Sequence, residues 1–115
     1  MEHVPRGGIS ADAWAAQFLR AAEENLRSQL STEADQGTLH ELALDHREGG
    51  VWATATFSMA ARPGVRFIRS QNIIPGLSAD WEADFAATLF ETHLIEWFHT
   101  RAKEMLPDSD GVVRS

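Results

Sequence analysis

Residues 51–59 read Val-Trp-Ala-Thr-Ala-Thr-Phe-Ser-Met, an unbroken alternation of two kinds of side chain. Val51, Ala53, Ala55, Phe57 and Met59 fall on one parity, and Trp52, Thr54, Thr56 and Ser58 on the other. A strand turns successive side chains to opposite faces. The segment therefore predicts a strand from Val51 to Ala60 with one apolar and one hydroxyl-rich face. Such a strand belongs in a sheet that is covered on one side only.

Neighbours for this strand are written on both sides of it. Glu48-Gly49-Gly50 is a turn signal, and Leu39 to Arg47 before it forms a first strand. Arg62-Pro63-Gly64 marks a second turn, where proline presets one backbone angle and glycine tolerates the other. Val65 to Gln71 then forms a third strand. Connections this short join antiparallel neighbours, which predicts a meander.

Two helices flank the strands. Ser10 is placed to cap the first, with Asp12 in its first turn. Trp14, Phe18, Ala22, Leu26 and Leu30 recur at every fourth position, and Ala15 and Leu19 widen the stripe. Arg20, Glu23, Glu24 and Arg27 lie opposite, so one side of this helix is buried and the helix stops before Gly37. Pro75-Gly76 breaks the chain after the third strand. Ser78 then caps a second helix, with Asp80 in its first turn, that runs to about Met105. Ala83, Ala87, Phe90, Leu94, Trp97, Phe98 and Met105 form its apolar face, and Trp81, Phe85 and Leu89 form a second apolar stripe.

The order α-β-β-β-α predicts a two-layer α+β sandwich, a three-stranded antiparallel meander with both helices packed on one face. A chain of 115 residues fits one domain, expected over residues 10–106. Residues 1–9 and 107–115 are expected as flexible tails.

Composition removes several functions. Seventeen acidic residues stand against ten basic ones, a net charge of −7, which disfavours a protein that grips nucleic-acid phosphates. Cysteine is absent, which excludes disulfides, thiolate catalysis and cysteine zinc sites. No apolar run suits a secretion signal or a membrane span, so a soluble cytoplasmic protein without a membrane partner is expected.

Glu96-Trp97-Phe98-His99 has the Glu-x-x-His spacing of di-metal bundles, but a single copy lacks the other ligands. His40 and His46 share a strand parity with Leu42 and Leu44 and lie about 20 Å apart, too far for one metal. No nucleophile elbow and no phosphate loop is present. No catalytic residue, metal or cofactor is therefore assigned, and the chain is read as no enzyme.

The element order is shared with double-stranded RNA-binding domains, whose second helix opens with lysines. Here that start, Ser78-Ala79-Asp80-Trp81-Glu82-Ala83-Asp84, is acidic and would repel phosphates. The order also resembles the dimeric YbaB-like nucleoid-associated family. Gly50-Val51 opening the middle strand and Ile74-Pro75 before the last helix are laid out similarly. The resemblance implies a dimer with local DNA contacts. Helices rich in aromatics, with Trp14, Trp81 and Trp97, depart from that family's heptad-like first helix.

The reading these residues favour is a non-catalytic acidic module that binds another protein, of the inhibitor, immunity, antitoxin or dedicated-chaperone kind. Negative charge would speed the capture of a basic partner. Trp52, Thr54, Thr56 and Arg66 are the expected partner contacts, and Trp81, Phe85 and Leu89 the expected seam of a homodimer. Two alternatives stand beside it. One is the YbaB-like DNA-binding dimer. The other is a small ligand-binding or enzymatic domain with a pocket between sheet and helices, using His93, Glu96 and the strand-one histidines. Arg62, Arg66 and Arg69, grouped around the last hairpin, are candidates for an anion or an acidic partner.

Overall fold

A computed structural model describes residues 11–34, 36–47, 50–73 and 82–115. The expected Ser10 and Ser78 caps, the Pro75-Gly76 break and Trp81 of the seam lie outside these residues.

Helix α1 spans Ala11–Ser31. Its fourth-position stripe, Trp14, Phe18, Ala22, Leu26 and Leu30, is buried throughout, and the Trp14 and Phe18 rings stack 5.6 Å apart. The chain then passes into the sheet through Gln36, at a positive φ of 48°, and Gly37. A Cβ on Gly37 would lie 2.6 Å from Sδ of Met59 and 3.0 Å from Cδ2 of Leu30. The close approach of helix to sheet here requires a residue without a side chain.

The sheet follows the expected meander. Strands β1 (Gly37–Arg47), β2 (Gly50–Met59) and β3 (Arg66–Asn72) are successive antiparallel neighbours. On β2 the alternation is carried through fully: Val51, Ala53, Ala55, Phe57 and Met59 are buried and the intervening residues half-buried. Strand β1 carries a bulge between Leu39 and Glu41. A bulge puts two residues of one strand opposite one of its neighbour, so it resets the parity.

The sheet extends beyond the expected meander. The sheet has four strands, because Val112–Arg114 form β4, which runs parallel to β3 at its outer edge. Three residues of the segment 107–115, expected as a flexible tail, are thus part of the sheet, and Val113 is buried opposite Phe67. A turn at Asp108 starts the strand. The carboxylate Oδ1 of Asp108 accepts the backbone N–H groups of Asp110 at 2.8 Å and Val112 at 3.0 Å. Gly111, at a φ of 80°, turns the chain into β4.

The second helix, α2, spans Ala83–Thr100 and starts behind an extended Glu82 that makes no side-chain cap bond. A short 3-10 turn, Ala102–Glu104, continues it toward the expected end at Met105. Arg62 secures this end. Its Nη1 donates to the carbonyls of Lys103 and Met105, at 3.2 and 2.9 Å, and its guanidinium lies over the Phe67 ring.

Both helices cover the apolar face of the sheet, making a two-layer α+β fold. Phe57 sits at the centre of the core, its ring 5.3 Å from Phe67, 6.0 Å from Phe98 and 6.5 Å from Trp97. Phe18 of α1 meets Phe90 of α2 at 6.1 Å. Ala53, Ala55 and Ala87 are fully buried, and their small size brings the layers together. Burying this apolar surface stabilises the fold by about 25 cal/mol per Å² removed from water.

Candidate functional site

The helices occupy one face of the sheet, and no element among the described residues lies over the other. Register places its side chains in rows. Ala43, Thr54 and Ser70 form one row, and Glu41, Thr56, Ile68 and Arg114 form the next. Asp45, Trp52 and Asn72 form the row toward the β1–β2 turn. Hydroxyls tie neighbouring strands together here: Thr54 Oγ1 and Ser70 Oγ are 3.0 Å apart. Ile68 stands outside the core and half-exposed.

The expected contact residues Trp52, Thr54, Thr56 and Arg66 thus share one face. Trp52 is half-buried beneath the Arg47 guanidinium, whose centre is 5.2 Å from its ring. Arg47 in turn is held by Asp45 at 2.7 Å. The indole Nε1 is shielded from solvent and finds no acceptor among the described residues. Such a donor costs free energy until an acceptor reaches it.

Charge on this face is mixed, with Arg47 standing on β1 beside two acids. Glu41 and Asp45 stand on β1, and Arg66 and Arg114 on β3 and β4. All four are exposed.

Histidine placement departs from the expected parity. The bulge turns His40 to the open face, where its Nε2 lies 2.7 Å from Ser58 Oγ, while His46 stays on the parity of Leu42 and Leu44. Burial and then the Arg66 guanidinium hold His40 below the usual imidazole range. A serine within reach of a neutral imidazole is the beginning of nucleophilic machinery. That machinery also needs a group to orient the imidazole and donors for an oxyanion. His40 makes no other hydrogen bond among the described residues, and the pair sits on an exposed strand face.

A second polar place lies on the helix side, between β3 and α2. Arg69, His93, Glu96, Trp97, Thr100 and Arg101 line a groove of about 380 Å³. Arg69 is half-buried and its Nε is shielded, with no acceptor among the described residues. Its Nη2 reaches Gln71 Oε1 at only 3.4 Å, and that same oxygen is 3.3 Å from His93 Nδ1. Burial lowers the pKa of Arg69. Neither Arg69 nor Arg101 has a carboxylate within 4 Å among the described residues.

Other groupings come apart in the fold. Arg62 holds the end of α2, Arg66 faces out from the open side, and Arg69 enters the groove, so the three arginines are not one cluster. Glu96 lines the groove while His99 pairs with Glu33 beyond the end of α1, so the Glu-x-x-His residues do not share a site. Among the described residues no three His, Asp or Glu side chains gather as a metal site, and no helix is long and apolar enough to cross a membrane. Of the second stripe on α2, Phe85 is 53% exposed and Leu89 half-buried.

The alternation in β2 pointed to the open face from sequence alone. The groove was missed in part: Arg69 shares its parity with Phe67, but only the packing of α2 shows which residues meet it. The His40–Ser58 contact has no local signal, because it depends on the bulge.

Compared with known protein families, with curated proteins and with solved structures, the chain matches none. The fourth strand is also a departure from the α-β-β-β-α order on which the likeness to YbaB-like and RNA-binding domains rested.

Proposed function

We propose that this chain is a non-catalytic protein-binding module whose contact surface is the open face of its sheet. One observation carries the reading. A complete sheet face, with Trp52, Thr54, Thr56 and Ile68 half-buried and a charged rim of Glu41, Asp45, Arg66 and Arg114, has no covering layer among the described residues. An aromatic set among small hydroxyl side chains, ringed by charge, is the anatomy of a protein interface. Overall negative charge speeds encounter with a basic partner, and the two-signed rim sets its register.

The test places a photocrosslinking residue at Thr56 or, as a control, at Glu24 on the exposed side of α1. The reading expects one defined adduct from position 56, absent from position 24 and lost when Thr54 is replaced by arginine. Equal crosslinking from both positions would reject it.

A second reading rests on the groove. Arg69, with its shielded and unmet Nε, together with Arg101 and His93, suits a small carboxylate or phosphate. Titration with inorganic phosphate, followed by NMR at the Arg69 Nε–H, tests it. A saturable shift abolished by Arg101→Ala supports this reading, and an unmoved resonance rejects it.

A further inference from the structure

We propose that the occupant of the open face is a second copy of this chain, docked face to face about a two-fold axis parallel to the strands. This rests on the reading that the open face is a protein contact surface, but it names a second copy in place of a basic partner, and two chains of net charge −7 associate against their overall repulsion.

One row of this face is self-complementary. Across the sheet, Glu41, Thr56, Ile68 and Arg114 are register neighbours, from β1 to β4. The row runs from acid through hydroxyl and aliphatic to base. An isologous contact sets residue i on j and residue j on i. An axis along the strands, passing between β2 and β3, reverses the order of strands while leaving each row opposite itself. Glu41 of one copy then lies over Arg114 of the second, and Thr56 over Ile68. The outer Glu41–Arg114 pair is of opposite charge, and the axis forms it twice.

The other rows agree. Thr54 falls over Ser70 of the second copy, hydroxyl on hydroxyl, and Trp52 over Asn72. Arg47, held by Asp45, lies over Trp52 and reaches Thr54 Oγ1 at 3.4 Å, so at this end of the face the second copy meets the Arg47 guanidinium. The remaining row sets Arg66 over Ser58 of the second copy and leaves the two Arg66 side chains diagonal to each other across the axis. A two-fold axis across the strands would instead stack β1 on β1 and oppose the acids Glu41 and Asp45 to each other's strand.

Size sets the strength. Strands of 11, 10, 7 and 3 residues give a face of roughly 500 Å² at the usual strand rise and spacing. Because β1 is covered only by the three residues of β4 and β2 only by the seven of β3, the two copies bury roughly 600 Å², less than a standard specific interface and the size of a weak contact. Aligned sheet packing with a twist of about −30° accommodates the contact. The dimer is therefore a weak one, sensitive to salt because its specificity lies in rim charges.

The experiment uses the full chain and light scattering on a sizing column over a concentration series. The unmodified chain is expected to shift from monomer to dimer as concentration rises, and back as salt is added. Glu41→Arg and Arg114→Glu are each expected to weaken the dimer by about tenfold or more. Arg114 also lies 3.7 Å from Asp108, so loss alone is not decisive for that variant. The decisive result is rescue. Each single variant carries the same charge at positions 41 and 114, so its own dimer opposes like charges. In an equimolar mixture of the two variants, every 41–114 pair across the contact is again of opposite sign. The mixture is expected to form a heterodimer that neither variant forms with itself. The double variant E41R/R114E is expected to dimerise like the unmodified chain.

A dimer indifferent to both reversals, or failure of the mixture to associate, overturns the proposal. A dimer lost in Phe85→Asp but not in Glu41→Arg overturns it in favour of the helix seam of Phe85 and Leu89. A chain that stays monomeric while the Thr56 crosslink to another protein persists overturns self-association and leaves the contact-face reading standing. Absence of both sinks the two together.

Discussion

Nε2 of His99, near the end of α2, lies 2.7 Å from the Glu33 carboxylate just beyond the end of α1. The contact ties together two helix ends that are far apart in sequence. Glu33 is the better shielded partner, with its side chain 14% exposed against 46% for His99. Removing the acceptor leaves the imidazole to water, while Glu33→Gln keeps an acceptor in place. Glu33→Ala is expected to lower stability by about 0.5–1 kcal/mol and Glu33→Gln by less, read from urea midpoints.

Asp108 gives the fold an acid-sensitive edge. The backbone N–H groups of Val112 and Asp110, then Arg114, hold its carboxyl below the usual carboxylate range. A carboxyl with a depressed folded pKa contributes stability above its unfolded pKa, and loses it as pH falls through the folded value. Acidification below the carboxylate range is therefore expected to loosen β4 before the core. The amide of Ser115, which donates to the Ile68 carbonyl at 3.0 Å, reports it through its protection from exchange. In Asp108→Asn the amide oxygen still accepts both bonds, so the turn is kept and this acid step disappears.

His40 reports on the charge of the open face. Burial comes first among the causes that keep its pKa low, and the Arg66 guanidinium second. Arg66→Gln removes the second cause only. The His40 ring resonances are expected to titrate at a higher pH in that variant, yet still below the ordinary value. An unchanged titration would mean that Arg66 does not act on the imidazole.

Phe57 and Phe85 separate core from surface. Phe57 is fully buried among three aromatic rings, and its replacement by alanine leaves a cavity as well as losing apolar burial. A cost of about 3–5 kcal/mol is expected, a large part of a small domain's stability. Phe85 is more than half exposed, and Phe85→Ala is expected to change stability by no more than about 0.5 kcal/mol. Denaturant unfolding of the two variants side by side measures both.

Gly37 tests how closely α1 approaches the sheet. A methyl group there meets Met59 and Leu30, and Gly37→Ala is expected to cost about 1–3 kcal/mol. In a Met59→Ala background the same change is expected to cost less, because the nearest contact is gone.

What could be read from the sequence is what repeats over short distances. The fourth-position spacing of Trp14, Phe18, Ala22, Leu26 and Leu30 specified the buried side of α1, and the alternation of 51–59 specified both faces of β2. Helix and strand periods are local geometry, so the pattern alone orients the side chains. The turn at Arg62-Pro63-Gly64 was legible for the same reason, as a matter of backbone angles.

The remainder was decided by residues that meet from far along the chain. Val112–Arg114 is too short for a period of its own and becomes a strand only because β3 offers a free edge and Phe67 a place for Val113. The bulge at His40 is a matter of register, and it moved one histidine to the open face while leaving His46 on the other. Arg62, Arg66 and Arg69, close in sequence, went to a helix end, the open face and a groove. Local pattern tells a side chain which way to face along its own element. Only the packing of elements against one another determines what it meets there, because that depends on hydrogen-bond register and on apolar surfaces that no single segment can bury alone.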